Sequence, residues 1–148
     1  MNHFKLGIAL IVMILLCSCQ VSAQPNVQVN GLHAKNSALE LTIASYFQTF
    51  NEINQWSTFA TDDFVKRVYE WCSGDRSGNK SIAEMKKIYA HISENTLDLV
   101  ACTIDEIDEV SDTEVHIYVT RKWENEETDQ TAYSIIKVNG EWKFDNRF

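Results

Sequence analysis

The sequence predicts an α+β domain, with two to three N-terminal helices packed on one face of a curved antiparallel sheet of about four strands. Two observations carry this expectation. Apolar residues recur at steps of three and four as far as Ile92, and from Leu97 onward the period becomes two. The pair Asn139-Gly140 lies between two alternating runs and marks a two-residue hairpin, because both central positions of a type I′ turn need a positive φ. Helices followed by hairpin-linked strands are the element order of an α+β fold.

The first helix is expected over about Ala38 to Ile53, where Leu39, Ile43, Tyr46, Phe47, Phe50 and Ile53 form one apolar stripe. A second is expected over Asp62 to Cys72. Thr61 can cap it, the two aspartates suit the positive end of its dipole, and Phe64, Val65, Val68 and Trp71 supply its apolar side. Ser73 to Lys80 (SGDRSGNK) reads as a loop by composition. Ser81-Ile82-Ala83-Glu84 is a capping box, in which each side chain satisfies the other residue's orphan N–H, and Ile82, Met85, Ile88, Tyr89 and Ile92 follow at helical spacing.

Four strands are expected after this. Leu97 to about Ile107 is the first. In the second, Glu114 to Trp123, the residues Val115, Ile117, Val119 and Trp123 share one face while His116, Tyr118, Thr120 and Lys122 share the other. Thr131 to Val138 is the third. Glu141 to Phe148 is the fourth, with Trp142, Phe144 and Phe148 on one side.

The chain opens as an exported protein does. Met1 to Lys5 is short and positively charged, and Leu6 to Leu16 (LGIALIVMILL) is an apolar run of signal-sequence length, too short for the roughly 20 residues of a spanning helix. Two processing sites compete. Val21-Ser22-Ala23 suits signal peptidase, giving a signal over 1–23 and a soluble product from Gln24. Leu16-Cys17-Ser18-Cys19 resembles a bacterial lipobox, whose product would be tethered through lipid on Cys19. Export therefore means the periplasm, the medium or a membrane-anchored lipoprotein. Residues 24–37 read as a flexible lead-in and 38–148 as a single domain, the one proline sitting at its approach. Loss of Lys5 with the signal takes the formal charge of −8 to about −9. Such a chain lacks the basic face that nucleic acid or an anionic lipid surface requires, so membrane contact is expected only through the lipid anchor.

In an oxidising compartment Cys72 and Cys102, the pair remaining in the folded part, are most simply a disulfide. The loop of some thirty residues would contribute about 3 to 4 kcal/mol on the chain-entropy model. Two buried free thiols are the alternative. No metal or other cofactor is expected, because His33, His91 and His116 have no ligand spacing with either cysteine. Asp75, Ser77 and Asn79 alternate as in a calcium loop, but Lys80 stands where glycine is needed and Lys86 where a bidentate glutamate belongs. The acidic run from Asp105 to Glu109, with Asp112 beyond, reads as a solvated turn.

The segments IASYFQTFN in the first helix, FATDDFV opening the second and VNGEWKF at the end resemble the nuclear transport factor 2-like superfamily, which includes ketosteroid isomerase and polyketide cyclases. The resemblance implies a cone whose sheet wraps the helices and leaves a pocket at the wide end. It also implies that Tyr46 lies where ketosteroid isomerases carry an oxyanion donor. Their general base is an aspartate soon after a segment like TDDFV; here that neighbourhood reads Lys66-Arg67, which cannot accept a proton at neutral pH. A catalytic role therefore has no evident base, and Tyr46 reads as a core residue. The leading expectation is a non-catalytic binding module for a small apolar ligand or a partner protein, with Tyr46, Phe50, Trp56, Tyr69, Trp71, His116 and Tyr118 as candidate contacts; a homodimer stays open. The alternative is a small isomerase or hydratase with an unidentified base.

Overall fold

The structure is a computed structural model and describes residues 27–148. The expected export signal, both candidate processing sites and Cys19 lie outside the described residues. Helix α1 (Ser37–Gln48) starts on Asn36, whose Oδ1 accepts from the N–H groups of Ala38 and Leu39. It stops short of the expected end at Ile53. The cause is tertiary: the Asn51 amide brackets the backbone of Leu99, donating to its carbonyl at 3.1 Å and accepting from its N–H at 3.0 Å. Chain held this way cannot continue a helix, so it makes a single turn α2 (Ile53–Trp56) and a 3₁₀ turn (Ser57–Phe59) instead.

Helix α3 (Asp62–Ser73) follows the sequence closely. Thr61 accepts from the Phe64 N–H at 3.1 Å, and Gly74 ends the helix at a φ of 72°, the left-handed cap that glycine adopts without strain. Helix α4 (Ile82–Ser93) carries both halves of the capping box between Ser81 and Glu84.

Strands β2 (Leu99–Ser111), β3 (Glu114–Trp123), β4 (Thr128–Val138) and β5 (Glu141–Arg147) pair antiparallel in chain order. Asn139 and Gly140 have φ of 51° and 88°, as the type I′ hairpin requires. A fifth strand, β1 (Gln28–Asn30), adds parallel to β2 and makes the sheet mixed. It lies inside the stretch expected to be a flexible lead-in. Three residues are too few for a periodicity to show in sequence, yet Val27 is buried, and Gly31 has a positive φ and so little room beside the Ile104 carbonyl that a Cβ would collide with it. The acidic run expected as a turn is the far half of β2, beyond the residues that β1 pairs. Charges on an exposed edge oppose pairing with another chain.

All helices cover the sheet face that carries Val115, Ile117 and Val119. Tyr46 of α1 stacks on Phe144 of β5 with ring centroids 3.7 Å apart, and Phe47, Phe64 and Tyr133 surround them edge-on or tilted. Aromatic rings packed so bury much apolar area per residue, and their edge-to-face contacts each add about 0.5 to 1.5 kcal/mol.

The β5 register departs from simple alternation. Ile135 pairs with Phe144 but the preceding Ser134 pairs with Asn146, so Asp145 is an extra, bulged residue. A bulge shifts the phase of the strand beyond it. Arg147, opposite the inward Tyr133, consequently shares the face of Phe144, whereas Phe148 lies on the outer face against His116, with ring centroids 5.1 Å apart. This corrects the expectation that Phe148 joins Trp142 and Phe144. The bulge is anchored by α3: the Thr61 hydroxyl donates to the Asp145 carboxylate at 2.8 Å and Arg67 donates to its backbone carbonyl.

Cys72 and Cys102 are both free thiols, which corrects the expected disulfide. Cys102 is wholly buried on the inner face of β2, in register with Arg121, while Cys72 is exposed on the last turn of α3. Burial pushes the Cys102 thiol up to about 12. Burial also raises the Cys72 thiol, with Arg147 opposing the shift. Brief iodoacetamide treatment of the native protein at pH 8.5, followed by peptide mass mapping, should label Cys72 and leave Cys102 unmodified until the protein is unfolded. Protection of both sites that is lost on reduction would mean that a disulfide forms after all.

Candidate functional site

Three inward-facing positions set the chemistry of the sheet's concave face where α1, α3 and α4 leave it uncovered. On β3, Arg121 follows Val115, Ile117 and Val119 at the same period of two and is 5 % exposed. On β4 the inward residue is Tyr133, and on β5 the bulge delivers Arg147. Between them and the helices is a cavity of about 420 Å³. Its walls are Tyr46 and Phe50 from α1 and its end, Trp56 from α2, Val68 and Trp71 from α3, and Tyr89 from α4.

A buried cation needs a partner and hydrogen bonds. Arg121 has them: Nε and one terminal nitrogen donate to the two carboxylate oxygens of Asp129 at 2.8 and 2.6 Å, and the other terminal nitrogen donates to the Tyr133 hydroxyl at 3.1 Å. This is the two-pronged geometry in which guanidinium and carboxylate match best. Its flat faces also meet aromatic rings, Trp123 at 4.8 Å and Phe50 at 5.9 Å from the centroids. Burial works against the charge, but Asp129 and Tyr133 outweigh it and hold Arg121 firmly protonated. Arg147 stands at the mouth, 4.6 Å above the Trp71 ring. It has no carboxylate partner among the described residues, whereas Arg67 lies 3.7 Å from the carboxylate of Asp145.

Burial pushes the Tyr46 phenol well above its ordinary value, pushes Tyr89 up to about 12 and raises Tyr133. All three are therefore neutral at physiological pH, able to donate a hydrogen bond but not to act as a base. The groups acting on Tyr46 are Tyr133, Tyr89, Arg121 and Arg147, with no carboxylate or imidazole among them. Lys66 and Arg67 do not approach this task either: Lys66 faces Glu70 at 4.0 Å and Arg67 holds the β5 bulge. At the rim, burial and the neighbouring Glu124 raise the Asp98 carboxyl.

Of the contacts expected from sequence, the fold brings Tyr46, Phe50, Trp56 and Trp71 together around the cavity. Tyr69 is buried elsewhere and donates its hydroxyl to Asp75 at 2.8 Å. Lys80 and the Ser77 N–H share that carboxylate. His116 and Tyr118 are on the opposite face of the sheet. His116 meets the Glu114 carboxylate at 3.0 Å, and Tyr118 borders a shallow depression beside Phe148. Sequence reasoning missed Arg121, Arg147 and Tyr133. Alternation alone places Arg121 on the apolar face of β3, a signal visible in the sequence, whereas Arg147 depends on a bulge that it does not announce.

Asp129 is titrated low: burial would raise its carboxyl, but the hydrogen bonds and charge of Arg121 outweigh burial and lower it. A lowered folded value means that the pair's contribution is complete above the unfolded carboxylate value of about 4 and is lost as pH falls through the folded value. Asp129 is 44 % exposed, so screening discounts the pair. Asp129→Asn should cost about 1 to 2 kcal/mol at pH 7 by urea denaturation and less at pH 3, which lies below the unfolded carboxylate value of about 4. An equal cost at both pH values would mean that the ion pair does not support the fold.

No family model matches the chain, and no curated protein does. Among solved structures, a ketosteroid isomerase-like protein from Erwinia carotovora atroseptica SCRI1043 is similar at 18 % sequence identity and a TM-score of 0.44, the match covering 76 % of this chain and 92 % of that one.

Proposed function

We propose that the protein is a non-catalytic binding protein for a small, largely apolar molecule, acting outside the cytoplasm. The observation that carries the reading is the cavity of about 420 Å³, walled by aromatic rings and containing a few fixed polar groups, which is the make-up of a small-ligand site. Isomerase chemistry of the kind the sequence resembles would need a carboxylate or imidazole within about 3 Å of a phenol donor in the same space. Of the carboxylates that line the cavity, Asp98, Glu127 and Asp129, the last is committed to Arg121, and the charges that act on Tyr46 are those of Arg121 and Arg147, which favours binding over proton transfer.

The neutral fluorophore N-phenyl-1-naphthylamine should brighten on binding. Val68→Phe, which fills the cavity from α3, should weaken its binding about tenfold or more, and Tyr118→Ala, on the opposite sheet face, should leave it unchanged. Loss of binding in Tyr118→Ala but not in Val68→Phe would overturn the cavity reading and move the site to the outer face.

Export is supported by the charged opening, the apolar run and the small residues after it. Intact-mass analysis of membrane and soluble fractions should find a chain beginning at Gln24 or one carrying lipid on Cys19. A product that retains Met1 to Ala23 would overturn export.

A further inference from the structure

We infer that the ligand is an organic anion, an apolar body carrying a carboxylate, and that Arg147 is the residue that receives the carboxylate. The inference rests on the cavity being a ligand site and adds the charge of its occupant. Arg121 is not free for this task, since both oxygens of Asp129 already occupy its fork. Arg147 is free: its guanidinium carbon lies 4.6 Å from the centroid of the Trp71 ring at the mouth, and no described carboxylate pairs with it. A guanidinium held over a ring by a cation–π contact keeps N–H groups available for an anion.

The β5 bulge puts this cation where it is. Without the extra residue at Asp145, alternation from Phe144 would aim Asn146 inward and Arg147 outward. Bulges are found next to functional sites because they re-aim a side chain, and this one is pinned from α3 by Thr61 and Arg67. The electrostatic surroundings agree with the geometry. The rim does carry acids, Asp98, Glu127 and Asp129, and Asp129 is committed to Arg121. Deeper in, the charged neighbours that act on Tyr46, Tyr89 and Tyr133 are Arg121 and Arg147; Cys72 feels Arg147 alone. The rings that line the cavity thus feel positive charge, from Arg121 inside the sheet and from Arg147 at the mouth, in a protein whose formal charge is −8. An anionic head at the mouth would meet the exposed Arg147 through charge-assisted hydrogen bonds while its apolar body enters the aromatic cavity.

Calorimetric titration with 2-naphthoate and with the uncharged 2-naphthalenemethanol separates this inference from the reading beneath it. The wild-type protein should bind the acid about tenfold tighter than the alcohol. Arg147→Gln should remove that preference and leave the alcohol within about twofold of wild type; Arg147→Lys, which keeps the charge but not the flat fork, should restore part of it. An equal affinity of the wild-type protein for acid and alcohol overturns the anion assignment while the cavity reading stands, and needs no variant. A preference that survives Arg147→Gln overturns the role of Arg147. Binding of neither compound, nor of N-phenyl-1-naphthylamine, overturns the cavity reading and this inference with it.

Discussion

Placing a guanidinium on the inner face of the sheet constrains much of what surrounds it. Arg121 is almost wholly buried, and a buried charge left without partners costs several kcal/mol. The neighbourhood answers that demand from three directions. Asp129, at the start of β4, supplies both carboxylate oxygens, Tyr133 supplies its hydroxyl oxygen, and Trp123 and Phe50 supply ring faces. These requirements fix the pairing of the β3 and β4 ends, where Arg121 and Asp129 are register partners. They also explain why this part of the sheet is not filled by aliphatic side chains.

Helix α1 ends early. Its apolar stripe would carry a helix on through Ile53, but Asn51 is claimed by the backbone of Leu99 at the start of β2. The break lets Phe50 turn toward Trp123 and Trp56 toward Tyr89, so the end of α1 and the short α2 after it form two walls of the cavity. At the other side the Tyr46–Phe144 stack joins α1 to the last strand, so both are held on a single aromatic cluster. Beyond Phe144 the bulge at Asp145 changes which residues look inward, and α3 secures it with the same Thr61 that caps the helix. Helix start and strand phase are thereby coupled through one hydroxyl.

Much of the fold was legible because the signals that specify it are local. The capping box at Ser81, the cap at Thr61 and the Asn-Gly hairpin are each set within a few residues, and each stands where the sequence places it. What escaped is non-local. The short β1 pairs with a strand some seventy residues away, the end of α1 is decided by a side chain that reaches β2, and the acidic run extends β2 because its neighbour is β3. The site divides in the same way. Tyr46, Phe50 and Trp71 could be chosen from helical stripes, while His116 and Tyr118, chosen from a polar strand face, prove to face away from the helices.

By itself the sequence determined the α+β class, the order and faces of the main elements, the leader-like opening and the acidic charge, because periodicity, capping and composition act over short stretches of chain. Only the tertiary structure decided that Cys72 and Cys102 stay apart as thiols, that Arg121 is paired inside the sheet, and that Arg147 rather than Phe148 faces the cavity. Each of these depends on which residue stands opposite which across the sheet. Register is set by cross-strand pairing and by a single bulge, and one extra residue exchanges the two faces of everything that follows it.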